Sequence, residues 1–468
     1  MKDRWGEQMT GGAGQSGLSQ TAGWTPESWR ARKALQQPRY EEPRELAACL
    51  AQIRSRPPLV HAGEVDALKM QMAEAGEGRR FILHAGDCAE RFEDCNPQSI
   101  TDKLKIILQM SLILVYGLRK PVVRIGRIAG QYAKPRSDDA ETVGGVTLPS
   151  YRGDIINGFA FEENARKHDP RRLVEAHNAS CFTLNYLRAL IEGGFADVRH
   201  PEMWRLDHIS EERQPKLYTD LSDRVRESTR FLELLGATAN PGLMRRVEFF
   251  TSHEGLLLDY ESAVTHPVMS DGRGGRHYNL GAHMLWLGER TRQPDGAHAE
   301  YLRGIANPTG IKVGPSADPR EIVKLVQLVN PSNEPGRINL ITRMGAGRAR
   351  SVLPALITAM RDARLNVTWT CDPMHGNVIK TEGGIKTRDF SSILAELQET
   401  FATHRSSNSI LGGVHFELTG ENVTECIGGG AGLQEEHLTE NYTSSCDPRL
   451  NYSQSMEMAY LLSDLLSK

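Results

Sequence analysis

No stretch of this chain is apolar enough to cross a membrane. The longest apolar run, Ile106 to Tyr116, is broken by Gln109 and Ser111 and falls short of the ~18 residues a spanning helix needs. An excess of one charge is also missing. Lys and Arg number 56 against 59 Asp and Glu, a formal net charge of -3, which argues against a nucleic-acid binder and requires any functional cations to be local and aimed at small anions. Cysteine is sparse, with 7 residues at positions 49, 88, 95, 181, 371, 426 and 446. An odd, scattered set points to reduced thiols, not a disulfide framework. Met1 to Gly23 has neither the apolar core of a secretory signal nor the basic, acid-poor pattern of a transit peptide. It is expected to be a disordered tail on a cytoplasmic protein. Serine-hydrolase and zincin motifs are absent, and neither Gly126 to Gly130 nor Gly428 to Gly430 has dinucleotide-binding spacing.

What the chain does have is repetition. Eight short β-rich runs end in a turn and a polar or charged residue: Arg80 to Glu90, Pro121 to Arg127, Val247 to Glu254, His283 to Arg290, Gly310 to Pro315, Ile338 to Gly345, Asn366 to Asn377 and Gly413 to Gly420. Most are followed by a helical pattern, as at 318–329, 350–363 and 391–404. Strand-helix alternation of this kind predicts an α/β fold, a (β/α)8 TIM barrel whose site lies at the C-terminal strand ends. A doubly wound sheet, the competing architecture, does not need functional side chains from so many strand ends. Residues 24–78 read as a helical extension, with helices at about 26–35, 41–54 and 63–76, none carrying convergent polar groups. The barrel spans 79–468, and the long segment after the second strand holds inserted helices at about 165–240, notably near 171–192 and 216–235.

Two constellations stand at the strand ends. Cys88, His375, Glu417 and Asp447 combine thiolate, imidazole and carboxylates, a mixed donor set suited to Mn, Co, Fe or Zn in an open site. A buried Cys, a capping Asp and an ordinary loop His are the alternative. Arg127, Arg290, Lys312 and Arg343 would repel one another without an anion, and Arg forks match carboxylate and phosphate. Glu289 can orient or balance these cations. Lys134, Arg136 and Ser137 form a second small anion site, with surface ion pairs the alternative for any single residue. His415 shares a strand face with Glu417 and reads as a packed barrel histidine, with a supporting role behind the ligand as the other option.

Gly86-Asp87-Cys88-Ala89-Glu90, Ala129 to Ser137, Tyr151-Arg152-Gly153-Asp154, Gly288 to Gln293, Asp372-Pro373-Met374-His375-Gly376-Asn377, Gly420 to Cys426 and Cys446-Asp447-Pro448-Arg449-Leu450-Asn451 together resemble the class II (plant-type) 3-deoxy-D-arabino-heptulosonate 7-phosphate (DAHP) synthases, from about Trp24 to Leu466. The resemblance implies a barrel enzyme that condenses phosphoenolpyruvate with erythrose 4-phosphate and water at the start of the shikimate pathway. It implies a divalent metal, Mn2+ or Co2+, on Cys88, His375, Glu417 and Asp447. It places phosphoenolpyruvate on Arg127, Glu289, Arg290, Lys312 and Arg343, and erythrose 4-phosphate on Lys134, Arg136 and Ser137. Lys312 and Glu289 are the candidates for proton transfer. Asp372 is expected to orient its loop and Cys371 to be barrel core. A homo-oligomer (dimer or tetramer), aromatic amino-acid feedback and a chorismate mutase partner are further expectations. Related readings are an amino-sugar version of the reaction in an antibiotic pathway, and an idle regulatory barrel. If the ligands converge, Cys88 and Cys446 come close enough for a reversible disulfide. One departure stands out: where the family usually has Gln-Gly-Gly before Asp-Cys, this chain has His84-Ala85-Gly86.

Overall fold

The computed structural model describes residues 23–197, 201–204, 223, 227, 247–269, 275–430 and 432–466. Eight parallel strands close on themselves: β1 (Phe81–Gly86), β2 (Val122–Arg127), β3 (Phe250–Glu254), β4 (Met284–Leu287), β5 (Thr309–Val313), β6 (Ile338–Thr342), β7 (Thr368–Cys371) and β8 (Gly413–Glu417). Each pairs with its neighbour in sequence order, and β1 pairs with β8 to shut the barrel. This is the expected (β/α)8 fold, and all eight predicted runs supply a strand. Nearly every strand residue is buried, because a parallel sheet covered by helices has no wet face.

The register fixes the geometry of the rim. Gly86 lies opposite both Arg127 and Glu417, so a cation and a carboxylate flank it at one level of the barrel. Gly86 itself has φ 146°, and a Cβ there would stand 2.7 Å from the Arg127 carbonyl oxygen. Only glycine allows the first strand to run this close to the second.

The barrel floor is closed by a helix, α2 (Ala62–Gly76), which follows α1 (Pro43–Arg54). Leu68, Met72 and Ala75 pack against inward residues Ile82, Val123, Phe250, Met284 and Ile341. Burial of each larger side chain contributes about 1.5–3 kcal/mol. Around the outside run α3 (Pro97–Leu118), α4 (Arg171–Glu192), the short α5 (Leu258–Ala263) and α6 (Ala297–Gly304), then α7 (Pro319–Val329), α8 (Ala349–Asp362), α9 (Phe390–Ser406) and α10 (Tyr452–Leu466). Asn96, Asp318 and Asp389 cap α3, α7 and α9 by accepting backbone N–H bonds, as short polar N-caps do. No helix among the described residues is long and apolar enough to cross a membrane.

The first predicted helix is not there. In place of a helix at 26–35 there is one 3-10 turn, Ser28–Ala31. Trp24 and Trp29 are drawn into the barrel's outer core, donating indole N–H bonds to the Glu300 carbonyl (3.0 Å) and Ser262 Oγ (2.8 Å). Gln36, at φ 59°, and Gln37 then bond barrel loops through their side chains. Tertiary bonds outweigh weak local propensity here. Between the expected helices, the Gln36 side chain accepts from the Arg136 backbone N–H and from Arg152 Nη2. Of the inserted helices, α4 matches the expectation at 171–192; the one expected near 216–235 lies outside the described residues except for 223 and 227, both helical, and the tail up to residue 22 lies outside them entirely.

Candidate active site

The C-terminal ends of the strands open into a cavity of 720 Å³. Arg127, Lys134, Arg136, Ser137, Glu289, Arg290, Lys312, Arg343, His375 and Asp447 all line it. Cys88 and Glu417 lie beneath it, fully buried.

One donor atom each from Cys88, Glu417 and Asp447 falls within 4.8 Å of the others. His375 joins through Glu417, its Nε2 standing 3.1 Å from Oε1. The imidazole is aimed by Asp372, whose Oδ2 lies 2.7 Å from Nδ1 while Oδ1 accepts the Met374 and His375 backbone N–H groups. Asp372 thus folds the loop and orients its histidine, while Cys371 is buried core. The Asp447 backbone N–H points at Cys88 Sγ, 3.3 Å away.

These donors are tied down from behind. Arg449, two residues past Asp447, pairs with Asp87 (2.8 Å), beside Cys88, and with Glu425 (2.8 Å). Lys103 of α3 pairs with the other Asp87 oxygen at 2.5 Å. The loops that carry Cys88 and Asp447 are therefore locked together by buried charges. Glu90 clamps the next loop, accepting the backbone N–H bonds of Ala129, Gly130 and Gln131. That loop leads directly to Lys134, Arg136 and Ser137.

Cations crowd the carboxylates. Arg127 Nη2 stands 2.9 Å from Glu417 Oε1, and Arg388 Nη2 stands 2.7 Å from Oε2. Lys134 Nζ bridges Glu417 (3.4 Å) and Asp447 (3.3 Å). Burial by itself would raise the Glu417 carboxyl, but His375, Lys134, Arg127 and Arg388 hold it well below the usual range. Asp447 is lowered in the same way, against burial, chiefly by Lys134. Both are ionised acceptors at neutral pH. Burial pushes the Cys88 thiol up.

The remaining cations face the cavity. Lys312 pairs with Asp372, yet burial still pulls its ammonium down to about 8. Arg343 donates from Nη2 to the His375 carbonyl (2.8 Å) and keeps a buried Nε without a partner among the described residues. Arg290 reaches across to Ser137 Oγ (2.7 Å), which links the two expected anion sites. Glu289 accepts from Arg292 (2.7 Å) and from the Gly314 backbone (2.7 Å), so it pins the ends of β4 and β5 together.

Several residues that line or support the site were not singled out in the sequence. Glu254 has a buried Oε1 without a hydrogen bond among the described residues. It fits only because residue 288 is glycine, where a Cβ would stand 2.1 Å from that oxygen. Trp286 lies under Arg127 and Lys312, at 5.1 and 5.9 Å from ring centroid to cation. Lys386 and Arg388 come from a hairpin, Val378–Lys380 with Lys386–Arg388, that follows β7. Lys386 reaches Asp447 at 3.1 Å. Their only signal is a basic alternation after the Gly383-Gly384 turn. His415 is not merely packed: its Nε2 is 2.6 Å from Arg127 Nη1.

A mixed thiol, imidazole and carboxylate cluster beneath a cationic cavity on a barrel rim suits metal-assisted chemistry on anionic substrates. Comparison with known proteins agrees. The Class-II DAHP synthetase family profile matches residues 24–463. A Neurospora crassa protein named phospho-2-dehydro-3-deoxyheptonate aldolase is 47% identical over 455 residues, 94% of each chain. A Streptomyces coelicolor protein of the same name is 45% identical over 438 residues, 94% of this chain and 96% of its own. The Mycolicibacterium smegmatis phospho-2-dehydro-3-deoxyheptonate aldolase AroG is 41% identical over 439 residues, 93% of each. With near-complete coverage at this identity, and with the barrel, the buried donor cluster and the cationic rim all in place, the chain belongs to the class-II DAHP synthetase family.

Proposed function

We infer that the chain is a DAHP synthase, which joins phosphoenolpyruvate to erythrose 4-phosphate with water and releases inorganic phosphate as the first step of the shikimate pathway. The observation that carries the site assignment is the convergence of Cys88, Glu417 and Asp447 within 4.8 Å, with His375 on Glu417, beneath a cavity ringed by cations.

In this reading Cys88, His375, Glu417 and Asp447 hold a divalent ion, Mn2+ or Co2+. The fit rests on donor chemistry: two ionised carboxylates, a thiol and an imidazole already oriented by a carboxylate, as metal-bound histidines usually are. The two carboxylates already share the Lys134 ammonium, so the cluster attracts a cation. When bound, the ion supplies Lewis-acid polarisation of the aldehyde oxygen of erythrose 4-phosphate.

The other residues bind and orient. Arg127, Lys312 and Arg343 hold the carboxylate and phosphate of phosphoenolpyruvate, with the free Nε of Arg343 one ready donor. Fixing both anionic ends aims C3 at the aldehyde and keeps the reactants together. Lys134, Arg136 and Ser137, with Arg290 bridging, take the phosphate of erythrose 4-phosphate. Lys312, at about 8, is poised to give or take a proton near neutrality as water adds at C2 and phosphate leaves. Glu289 anchors the walls from which Arg290 and Lys312 project.

The test is phosphate release from the two substrates by purified protein, with Mn2+ or Co2+ and after stringent chelation. Release that depends on both substrates and on the ion is expected. Undiminished carbon–carbon condensation by chelated protein, or by Cys88→Ala, would refute the metal assignment.

A further inference from the structure

Arg127 is buried under the cavity floor and commits four of its five N–H bonds before any substrate arrives. Nε donates to the Asp87 carbonyl (2.7 Å), and Nη2 to the Cys88 carbonyl and to Glu417, each at 2.9 Å. Nη1 meets His415 Nε2 at 2.6 Å. The fifth N–H, on Nη1, has no partner among the described residues, and Arg127 lines the cavity. His415 is the acceptor that holds the Nη1 end of the planar guanidinium, so it helps to set where the fifth N–H is aimed.

The contacts run on from His415. Its Nδ1 lies 3.0 Å from Nδ1 of His84, and His84 Nε2 lies 2.7 Å from Ser252 Oγ. Ser252 Oγ donates to the Gly126 carbonyl at 3.0 Å. The path crosses β2, β8, β1 and β3, and returns to the residue before Arg127. Every proton on it is dictated. A guanidinium only donates, so His415 Nε2 accepts and its Nδ1 carries the hydrogen. His84 Nδ1 must then accept, its Nε2 must donate to Ser252, and Ser252 must donate onward. Each histidine is held in a single tautomer, and no atom on the path is left unpaired. Trp286 stands edge-on to both rings, at 5.5 and 5.7 Å between centroids, and fixes their planes.

We propose that His84 and His415 are positioning residues that set the guanidinium of Arg127 for phosphoenolpyruvate through this one-way hydrogen-bond path. The proposal rests on the assignment of Arg127 to phosphoenolpyruvate. It also states which residues position 84 would tolerate. A glutamine amide offers one acceptor and one donor, the same polarity as the required tautomer of His84, so either residue completes the path. An apolar residue does not. Without an acceptor at position 84, the His415 proton is free to move to Nε2, where it opposes the Arg127 N–H.

Three variants, His84→Gln, His84→Leu and Ser252→Ala, are compared by steady-state kinetics at saturating Mn2+, by calorimetric titration with phosphoenolpyruvate, and by thermal melting. Loss of a hydrogen bond to a charged group predicts a rise of about tenfold or more in KM and Kd for phosphoenolpyruvate in His84→Leu. KM for erythrose 4-phosphate should stay at the wild-type value, and His84→Gln should remain within about threefold of wild type, since it restores the pairing. A folded His84→Leu with unchanged phosphoenolpyruvate affinity overturns the proposal, as does equal loss in the Gln and Leu variants. If His84→Leu does not fold, Ser252→Ala decides: unchanged phosphoenolpyruvate affinity overturns the proposal, and a selective rise supports it. Wild-type protein that binds phosphoenolpyruvate but releases no phosphate overturns the functional reading alone, and titration still decides this one. Wild-type protein that does not bind phosphoenolpyruvate overturns both.

Discussion

Asp372→Asn probes the link between the donor cluster and the substrate cations, because one carboxylate serves both. Asp372 Oδ2 meets His375 Nδ1 at 2.7 Å and also takes the Lys312 ammonium. Burial lowers Lys312 to about 8, and Asp372 is the main group resisting that fall. A charge-assisted hydrogen bond is worth about 1.5–3 kcal/mol, and a full pKa unit corresponds to about 1.4 kcal/mol. The neutral amide should therefore drop Lys312 by roughly one to two units. At pH 7.5 the protonated fraction would fall from about three quarters to about one quarter or less. If phosphoenolpyruvate requires the ammonium, kcat/KM for that substrate in the wild type should decline as pH rises through about 8. In Asp372→Asn the decline should move at least one unit lower, and the metal requirement should rise by about 10–100-fold through the misdirected histidine. The assay is a pH profile of kcat/KM for phosphoenolpyruvate at saturating Mn2+, with the erythrose 4-phosphate profile as control. Superimposable wild-type and variant profiles would refute the assignment of that pKa to Lys312.

Three further outcomes are expected. Arg449→Met should lower stability by about 3–5 kcal/mol by leaving Glu425 without its cation and Asp87 with Lys103 alone; urea denaturation that finds no loss would show that Lys103 and the backbone N–H groups on Glu425 suffice. Glu396, buried between the loops after β6 and β7, bonds Met344 N (2.6 Å) and Asn377 Nδ2 (2.7 Å), and burial raises it from 4.5 to about 7. A raised carboxyl contributes stability that is full below its unfolded pKa and lost as pH rises through the folded value, roughly 3 kcal/mol here. Glu396→Gln should abolish that loss, so wild-type protein alone should melt at a lower temperature at pH 8 than at pH 5; parallel curves would exclude the effect. Finally, Cys88 and Cys446 are free thiols packed in one small cluster with Ala89 and Tyr151. Oxidising chelated protein should join them as a disulfide that blocks metal uptake until reduced, and mass spectrometry of inactivated protein with both thiols free would dismiss it.

The fold was legible because its signal is periodic and repeated. Each barrel strand is a short apolar run, and eight of them at helix-length spacing leave few architectures. Where periodicity was weak the reading failed. Residues 26–35 have a plausible N-cap and no strong apolar face. Trp24 and Trp29 gain more from the crevice beside α6 than the backbone gains from a helix. Such docking is long-range, with Trp24 bonding Glu300, and no local window contains it.

The site shows the same division at finer grain. Arg127, Lys312, Arg343 and Glu417 were readable because they end strands, where position alone aims a side chain at the cavity. Lys386 and Arg388 were not, since a hairpin after the seventh strand folds back over the mouth before its cations reach Asp447 and Glu417. The deeper reason is electrostatic. A cluster of carboxylates with no charge beside it cannot stay ionised and buried, so Glu417 requires the partners the structure provides in Arg127, Lys134, Arg388 and His375. Of these, Arg127, Lys134 and His375 also line the cavity. In the proposed reading, a divalent ion held by Glu417 and Asp447 would neutralise them and leave Lys134 available to a phosphate. By reciprocity, ion and phosphate should then each tighten the other's binding. On the proposed reading the counter-charges would be shared between the metal and the substrates, a coupling that no strand-end pattern reveals.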